Sequence, residues 1–274
     1  MLGTAVIVFR EVLEAALIVS ILMAATAGVR SRNVWVGTGV LLGLGAAFGV
    51  ALFAGEIAGA FQGVGQELFN ATVLLTAVTM LAWHNIWMSQ HSKKIVAHLK
   101  EVGAQISGGS LPLGYLTITA GLAVMREGSE VVLFMYGVAA GDSSPVEMLS
   151  GGLLGAAGGV AVGSLLYLGL VRIPVKWLFR VTGWIILLLA AGLAASAAGY
   201  LSQAGLLPSQ APLWNTGDIL SEKSVIGQLL HILIGYQARP TAIQVAFYLA
   251  TMALIGAGMK WIGREPGRRL QQVS

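Results

Sequence analysis

The chain has 274 residues, 56% of them hydrophobic and only 10% charged, with a formal net charge of +4. Ordinary soluble domains carry about 25% charged residues, so this composition excludes a soluble globular enzyme and a disordered chain. It contains no cysteine, which excludes disulfides, thiolate metal sites and cysteine nucleophiles.

With about 20 apolar residues needed to cross a ~30 Å hydrocarbon core, the chain reads as an all-α polytopic membrane protein. It forms a single membrane domain over 1–274 with seven transmembrane helices. The first segment, 4–27, carries Arg10, Glu11 and Glu14 inside its apolar run. It lacks the basic leader of a signal peptide, so it is expected to be retained as a helix. The second, 34–54, holds Gly39-x-x-x-Gly43 and Gly45-x-x-x-Gly49, a spacing that lets membrane helices pack backbone to backbone. Glu56 and Glu67 fall in or beside the loop that follows. The third, 69–89, ends with Trp83, His84, Asn85, Trp87 and Met88. The fourth, 116–140, carries Arg126, Glu127 and Glu130, and the fifth, 148–171, repeats glycine at 151, 155, 159 and 163. The sixth is 178–200. Residues 201–240 read as an outer loop with Asp218, Glu222 and an amphipathic stretch at about 222–235, and 241–262 is the seventh helix.

Twelve of the 16 Lys and Arg lie at alternate segment ends, which must share one side of the membrane. By the positive-inside rule that side is cytoplasmic, so the N-terminus is expected outside and the C-terminus inside. The basic balance therefore orients the chain in lipid and is no sign of a nucleic-acid partner. The outer side is acidic and suited to gathering cations.

Six charges lie within apolar runs, at roughly 2.5–3.5 kcal/mol each if unpaired at mid-helix. They form two copies of one motif: Arg10-Glu11-Val12-Leu13-Glu14 and Arg126-Glu127-Gly128-Ser129-Glu130. Arg10 to Gly39 spans 29 residues, as does Arg126 to Gly155. This predicts two three-helix repeats, 4–89 and 116–200, with a seventh helix added. Three is odd, so the second repeat enters the membrane inverted, and a substrate site is expected between the halves near the midplane. Residues i and i+3 share a helix face, so Glu11 pairs with Glu14 and Glu127 with Glu130. Four carboxylates offer hard oxygen ligands to iron, Mn²⁺, Mg²⁺ or Ca²⁺. Arg10 and Arg126 could hold a carboxylate and fix its rotamer. Two arginines leave two negative charges unbalanced. The competing account is a salt-bridge staple between the two helices.

This pattern resembles the high-affinity, oxidase-dependent iron permease family, including the bacterial members of elemental-iron uptake systems. The resemblance extends to Leu213-Trp214-Asn215, Gly235-Tyr236-Gln237 and Pro240. It implies that Glu11, Glu14, Glu127 and Glu130 handle iron, with Arg10 and Arg126 in support. It also implies a cell-membrane location and an oxidising or delivering partner outside the cytoplasm, such as a multicopper ferroxidase or a cupredoxin-like or haem-peroxidase-like periplasmic protein. No permanently bound cofactor is expected; iron is the substrate. The family's common version has Gly-Leu between the two glutamates, so Val12-Leu13 and Gly128-Ser129 depart from it at non-ligand positions.

The chain is thus expected to be a transporter and not an enzyme, importing Fe²⁺ or Fe³⁺. Glu56, Glu67, Asp218 and Glu222 are candidates for outer capture, or are ordinary solvated charges. His84 and Met88 are candidates for an exit toward the cytoplasm, with an interfacial histidine as the alternative. A proton-coupled transporter of another divalent metal and a membrane redox enzyme are the competing functions.

Overall fold

The computed structural model describes residues 2–60, 65–139, 144–169, 175–222 and 224–262. The side chains of Glu56 and Met88 lie outside the described residues. The described chain is helical apart from turns, loops and one isolated antiparallel bridge, Pro212 with Thr241. The helices are α1 (Leu2–Ala25), α2 (Arg32–Ala60), α3 (Gln66–Ser107), α4 (Gly114–Ala139), α5 (Pro145–Tyr167), α6 (Val175–Gln203), α7 (Val225–Ile234) and α8 (Ala242–Ile262).

Each of the seven expected segments falls on one of the seven longer helices, and the amphipathic stretch at 222–235 becomes the short α7. Within α2, α5, α6 and α8, four stretches are long and apolar enough to cross a membrane by length and composition: 32–54, 145–167, 180–203 and 242–260. α1 and α4 differ because each interrupts its apolar run with an arginine and two glutamates.

α3 departs most from expectation. Its 42 residues make a helix about 63 Å long, roughly twice the hydrocarbon thickness. Hydropathy ends the third segment at 89, where lysines and polar residues begin, but only the isolated Gly103 intervenes before Gly108-Gly109 and Pro112. The extension packs back on the bundle: a Cβ at Gly103 would collide with Ala25, and Ser107 Oγ donates to Ala25 O at 3.1 Å.

The helices pair crosswise. α1 lies along α5, α2 along α4, and α3 along α6, with α8 covering α6. Glycine makes the first two contacts possible. A Cβ on Gly43 would stand 2.6 Å from Gly121 O and 2.9 Å from Val124 Cβ on α4. A Cβ on Gly155 would collide with Ala5 O and stand 3.0 Å from Val8 Cβ on α1. The two glycines therefore seat on positions of the motif helices that are 116 residues apart, as Arg10 and Arg126 are. Chain spacing equated Gly39 with Gly155; the contacts equate Gly43 with Gly155, because the path from α1 into α2 is four residues, one helical turn, longer. The glycine ridges of α2 and α5 do not face each other. Gly45 and Gly49, the second α2 ridge, have nothing within 4 Å, so that ridge is not a packing surface of the described chain.

Two apolar clusters bracket the middle of the bundle. One gathers Ile7, Leu81, Phe134, Ile186, Leu187 and Ile255. The other gathers Leu22, Val36, Leu99, Val102, Ile106 and Leu116. Along α1, Glu11 and Glu14 lie between Ile7 and Leu22; along α4, Glu127 and Glu130 lie between Leu116 and Phe134. The charged residues are thus held between two dry layers.

Candidate metal centre

Helical geometry sets the first level of the site. On α1, Arg10 and Glu14 are one turn apart, and Arg10 Nε lies 3.0 Å from Glu14 Oε1. Arg10 Nη1 is 3.7 Å from Glu11 Oε1. On α4, Arg126 Nε donates to Glu130 Oε1 at 3.1 Å and lies 3.9 Å from Glu127 Oε1. The Arg126 guanidinium also stacks on Trp87 of α3, 4.6 Å from the ring centroid.

Packing of α1 against α4 and α3 sets the second level. It brings both motifs to one place and adds a residue from α3. His84 Nε2 lies 3.7 Å from Glu11 Oε2 and 3.6 Å from Glu14 Oε2. His84 Nδ1 abuts Glu130 Oε2. Among the described residues, Glu11, His84, Glu127 and Glu130 each present a donor atom, all within 4.8 Å of one another. The sequence offered His84 as an exit residue with Met88 or as an interfacial histidine; the structure puts the imidazole inside the carboxylate cluster. The reason is the length of α3: His84 lies 18 residues into a 42-residue helix, and not near the end of a 21-residue one.

The cluster is deeply enclosed. Glu11 is fully buried, Glu14 and Glu127 are each 2% exposed, and His84 is 4% exposed. Among the described residues, both oxygens of Glu11 and of Glu14, Glu127 Oε2 and His84 Nε2 lack hydrogen-bond partners. Buried polar atoms are nearly always satisfied, and leaving one unpaired costs about 1–3 kcal/mol. So many unsatisfied oxygens converging on one point fit a cation. Four carboxylates against two guanidinium groups leave two negative charges, the complement of a divalent ion.

Two further buried polar residues lie on the same helices, Asn85 on α3 and Thr4 on α1. Asn85, buried beside His84, donates to Gly183 O at 3.0 Å and so ties α3 to α6. Thr4 is fully buried with its hydroxyl unpartnered. No sequence signal marked Thr4. The two polar residues His84-Asn85 within an apolar helix were the available signal for an inward-facing α3.

The outer candidates fall elsewhere. Glu67 is exposed in the first turn of α3, about 25 Å along the helix from His84. Asp218 is exposed in the loop before α7. Glu222 is exposed as well, but its Oε1 accepts from Ala238 N and braces that loop. The same loop is tied by Thr216 to Tyr236 OH at 2.6 Å and by Tyr236 OH to Leu220 O at 2.9 Å. α7 ends at Gly235, whose φ of 69° reverses the chain, and Gly235 packs directly on Gly192 of α6.

The model of the iron permease FTR1 family matches residues 1–261. The chain is 36% identical to the ferrous iron permease EfeU of Escherichia coli O6:H1 over 247 residues, 88% of this chain and 89% of that protein. The proteins of the same name from Shigella sonnei and Yersinia pestis are 36% and 34% identical, each over 88% of this chain and over 89% and 87% of their own lengths. No solved structure matches the chain.

Proposed function

The chain belongs to the iron permease FTR1 family, whose members are transporters and not enzymes, and from that premise we propose that it imports ferrous iron through the buried cluster of both motifs. The observation that carries this reading is the convergence of Glu11, Glu127 and Glu130 on one point, with unsatisfied buried oxygens; the formal count of four carboxylates against two guanidinium groups adds to it. The similar proteins are named ferrous iron permeases, and a net charge of −2 complements Fe²⁺ more closely than Fe³⁺. Glu14, held by Arg10, steadies the cluster and takes part in transfer.

The bundle is read as seven spanning helices in the cytoplasmic membrane, N-outside, with 4–89 and 116–200 as inverted repeats. The crosswise packing supports this: exchanging α1 with α4, α2 with α5 and α3 with α6 maps the main contacts onto themselves. Such repeats place the site at their interface. The dry layer on either side of the cluster supports an occluded arrangement, in which the ion is shut off from both faces. Glu67 and Asp218, on the acidic outer side, gather cations before entry. The ion then passes to the carboxylates and is released to the cytoplasm. A partner outside the cytoplasm that oxidises or delivers iron supplies the substrate.

The test is ⁵⁵Fe uptake into proteoliposomes containing the purified chain, with Fe²⁺ kept reduced by ascorbate or with chelated Fe³⁺. Wild type is expected to accumulate Fe²⁺, and a folded Glu11→Gln/Glu127→Gln variant to lose uptake by a factor of about 100 or more. Preferential uptake of Fe³⁺ would overturn the valence. Preferential uptake of Mn²⁺ over iron would overturn the substrate.

A further inference from the structure

The cluster contains one donor that is not a carboxylate, and it comes from a helix that carries neither motif. His84 of α3 stands between the two motifs, its Nε2 side toward Glu11 and Glu14 of α1 and its Nδ1 side against Glu130 of α4. The ring is held edge-on to Phe134, 6.5 Å between centroids, so its orientation is fixed by packing. It is 4% exposed, yet Nε2 makes no hydrogen bond. A histidine that only stapled helices would be expected to satisfy both nitrogens.

Resting on the iron-permease reading, we propose that His84 is the nitrogen ligand of the transported ion and the residue that selects it against Mg²⁺ and Ca²⁺. Mg²⁺ and Ca²⁺ are hard ions bound by oxygen, and a cluster of carboxylates alone accepts them readily. Both are far more abundant than free iron outside a cell, so an all-carboxylate site faces heavy competition. Imidazole suits iron and the later transition ions and adds little for the hard ones. A single imidazole among Glu11, Glu127 and Glu130 therefore tilts the site toward a first-row transition ion. The placement also meets the second need of a ligating histidine. Whichever nitrogen binds the ion, the other faces a carboxylate that fixes the tautomer and the ring plane. That carboxylate belongs to the opposite motif, so His84 couples the two halves of the site through one rigid ring.

Two measurements on the full chain test this. Iron K-edge X-ray absorption on anaerobic protein in nanodiscs, loaded with one equivalent of Fe²⁺, is expected to show outer-shell imidazole scattering in wild type and none in His84→Gln. In proteoliposomes, Fe²⁺ uptake against millimolar Mg²⁺ or Ca²⁺ is expected to fall by a factor of roughly 10–100 in His84→Gln, with far less loss when no competitor is present. Wild type that transports iron but shows no imidazole scattering overturns the proposal and leaves the permease reading intact. A variant that keeps the wild-type discrimination against Mg²⁺ within about twofold does the same. Absence of iron uptake by wild type, with normal insertion, removes the permease reading and this proposal with it. If His84→Gln does not fold, the wild-type absorption spectrum decides the question alone.

Discussion

The two R-E-x-x-E motifs have the same local chemistry and different surroundings. Their arginines make nearly equal (i, i+4) pairs, 3.0 Å from Arg10 to Glu14 and 3.1 Å from Arg126 to Glu130. Yet the Arg10 side chain is 3% exposed and that of Arg126 is 39% exposed; Glu14 is 1% exposed and Glu130 17%. Arg10 is sealed among helices, and its Nε and Nη1 lie near Glu14 and Glu11 without making a hydrogen bond among the described residues. Arg126 opens to the surface of the bundle and rests on Trp87. The same five-residue pattern is thus an enclosed ion pair in one copy and a half-open one in the other. What a charge costs here is set by the helices packed around it, and not by its own segment.

The sharpest way to break this comparison is to remove each arginine. Arg10→Met leaves carboxylates buried without their cation and is expected to destabilise the protein by about 3–5 kcal/mol. Arg126→Met, on a side chain more than a third exposed, is expected to lose about 1 kcal/mol or less. Thermal unfolding in detergent measures both, and equal losses would end the distinction. Next in size, the glycine seats should behave alike despite the different exposures. Gly43→Val and Gly155→Val are each expected to cost about 1–3 kcal/mol through overpacking. Gly45→Ala, which meets nothing, is expected to be neutral or to gain up to about 1 kcal/mol from helix propensity.

Accessibility gives a finer test, and the cysteine-free chain needs no background substitution. Glu130→Cys is expected to react with a charged methanethiosulfonate about tenfold faster than Glu14→Cys, in line with its greater exposure. Equal rates in a single conformation would contradict the asymmetry. The smallest effect is expected from Trp87→Leu, which removes the cation–π contact under Arg126 at a cost of about 0.5–1 kcal/mol. Among the described residues, Arg10 has no such neighbour to lose.

The motifs, their pairing and the apolar segments were legible because each depends on short-range pattern. The charges stand out against apolar sequence, and i to i+3 spacing places both carboxylates of a copy on one face. Three things depended on long-range packing and were not legible. The register of Gly43 rather than Gly39 requires the path between α1 and α2, which chain spacing alone does not reveal. The place of His84 required the full length of α3, whose polar half looks like loop to a hydropathy reading. Along the expected segments, Glu11 lies about a third of the way into 4–27 and Glu127 near the middle of 116–140, so the two depths do not match. Contacts remove the mismatch: Ala5 of α1 sits beside Gly155, ten residues into α5. Ala5 therefore sits about 15 Å along the bundle from the start of α5, and Glu11 meets Glu127 in the shared cluster.

The seat of α1 on α5 also bears on how the protein is made. With 138 residues between Ala25 and Gly163, a ribosome adding ~5–20 residues per second completes α1 roughly 7–28 s before its partner. Through that interval α1 carries three ionisable groups without the surface that encloses them in the folded chain. Birth order and packing order thus disagree.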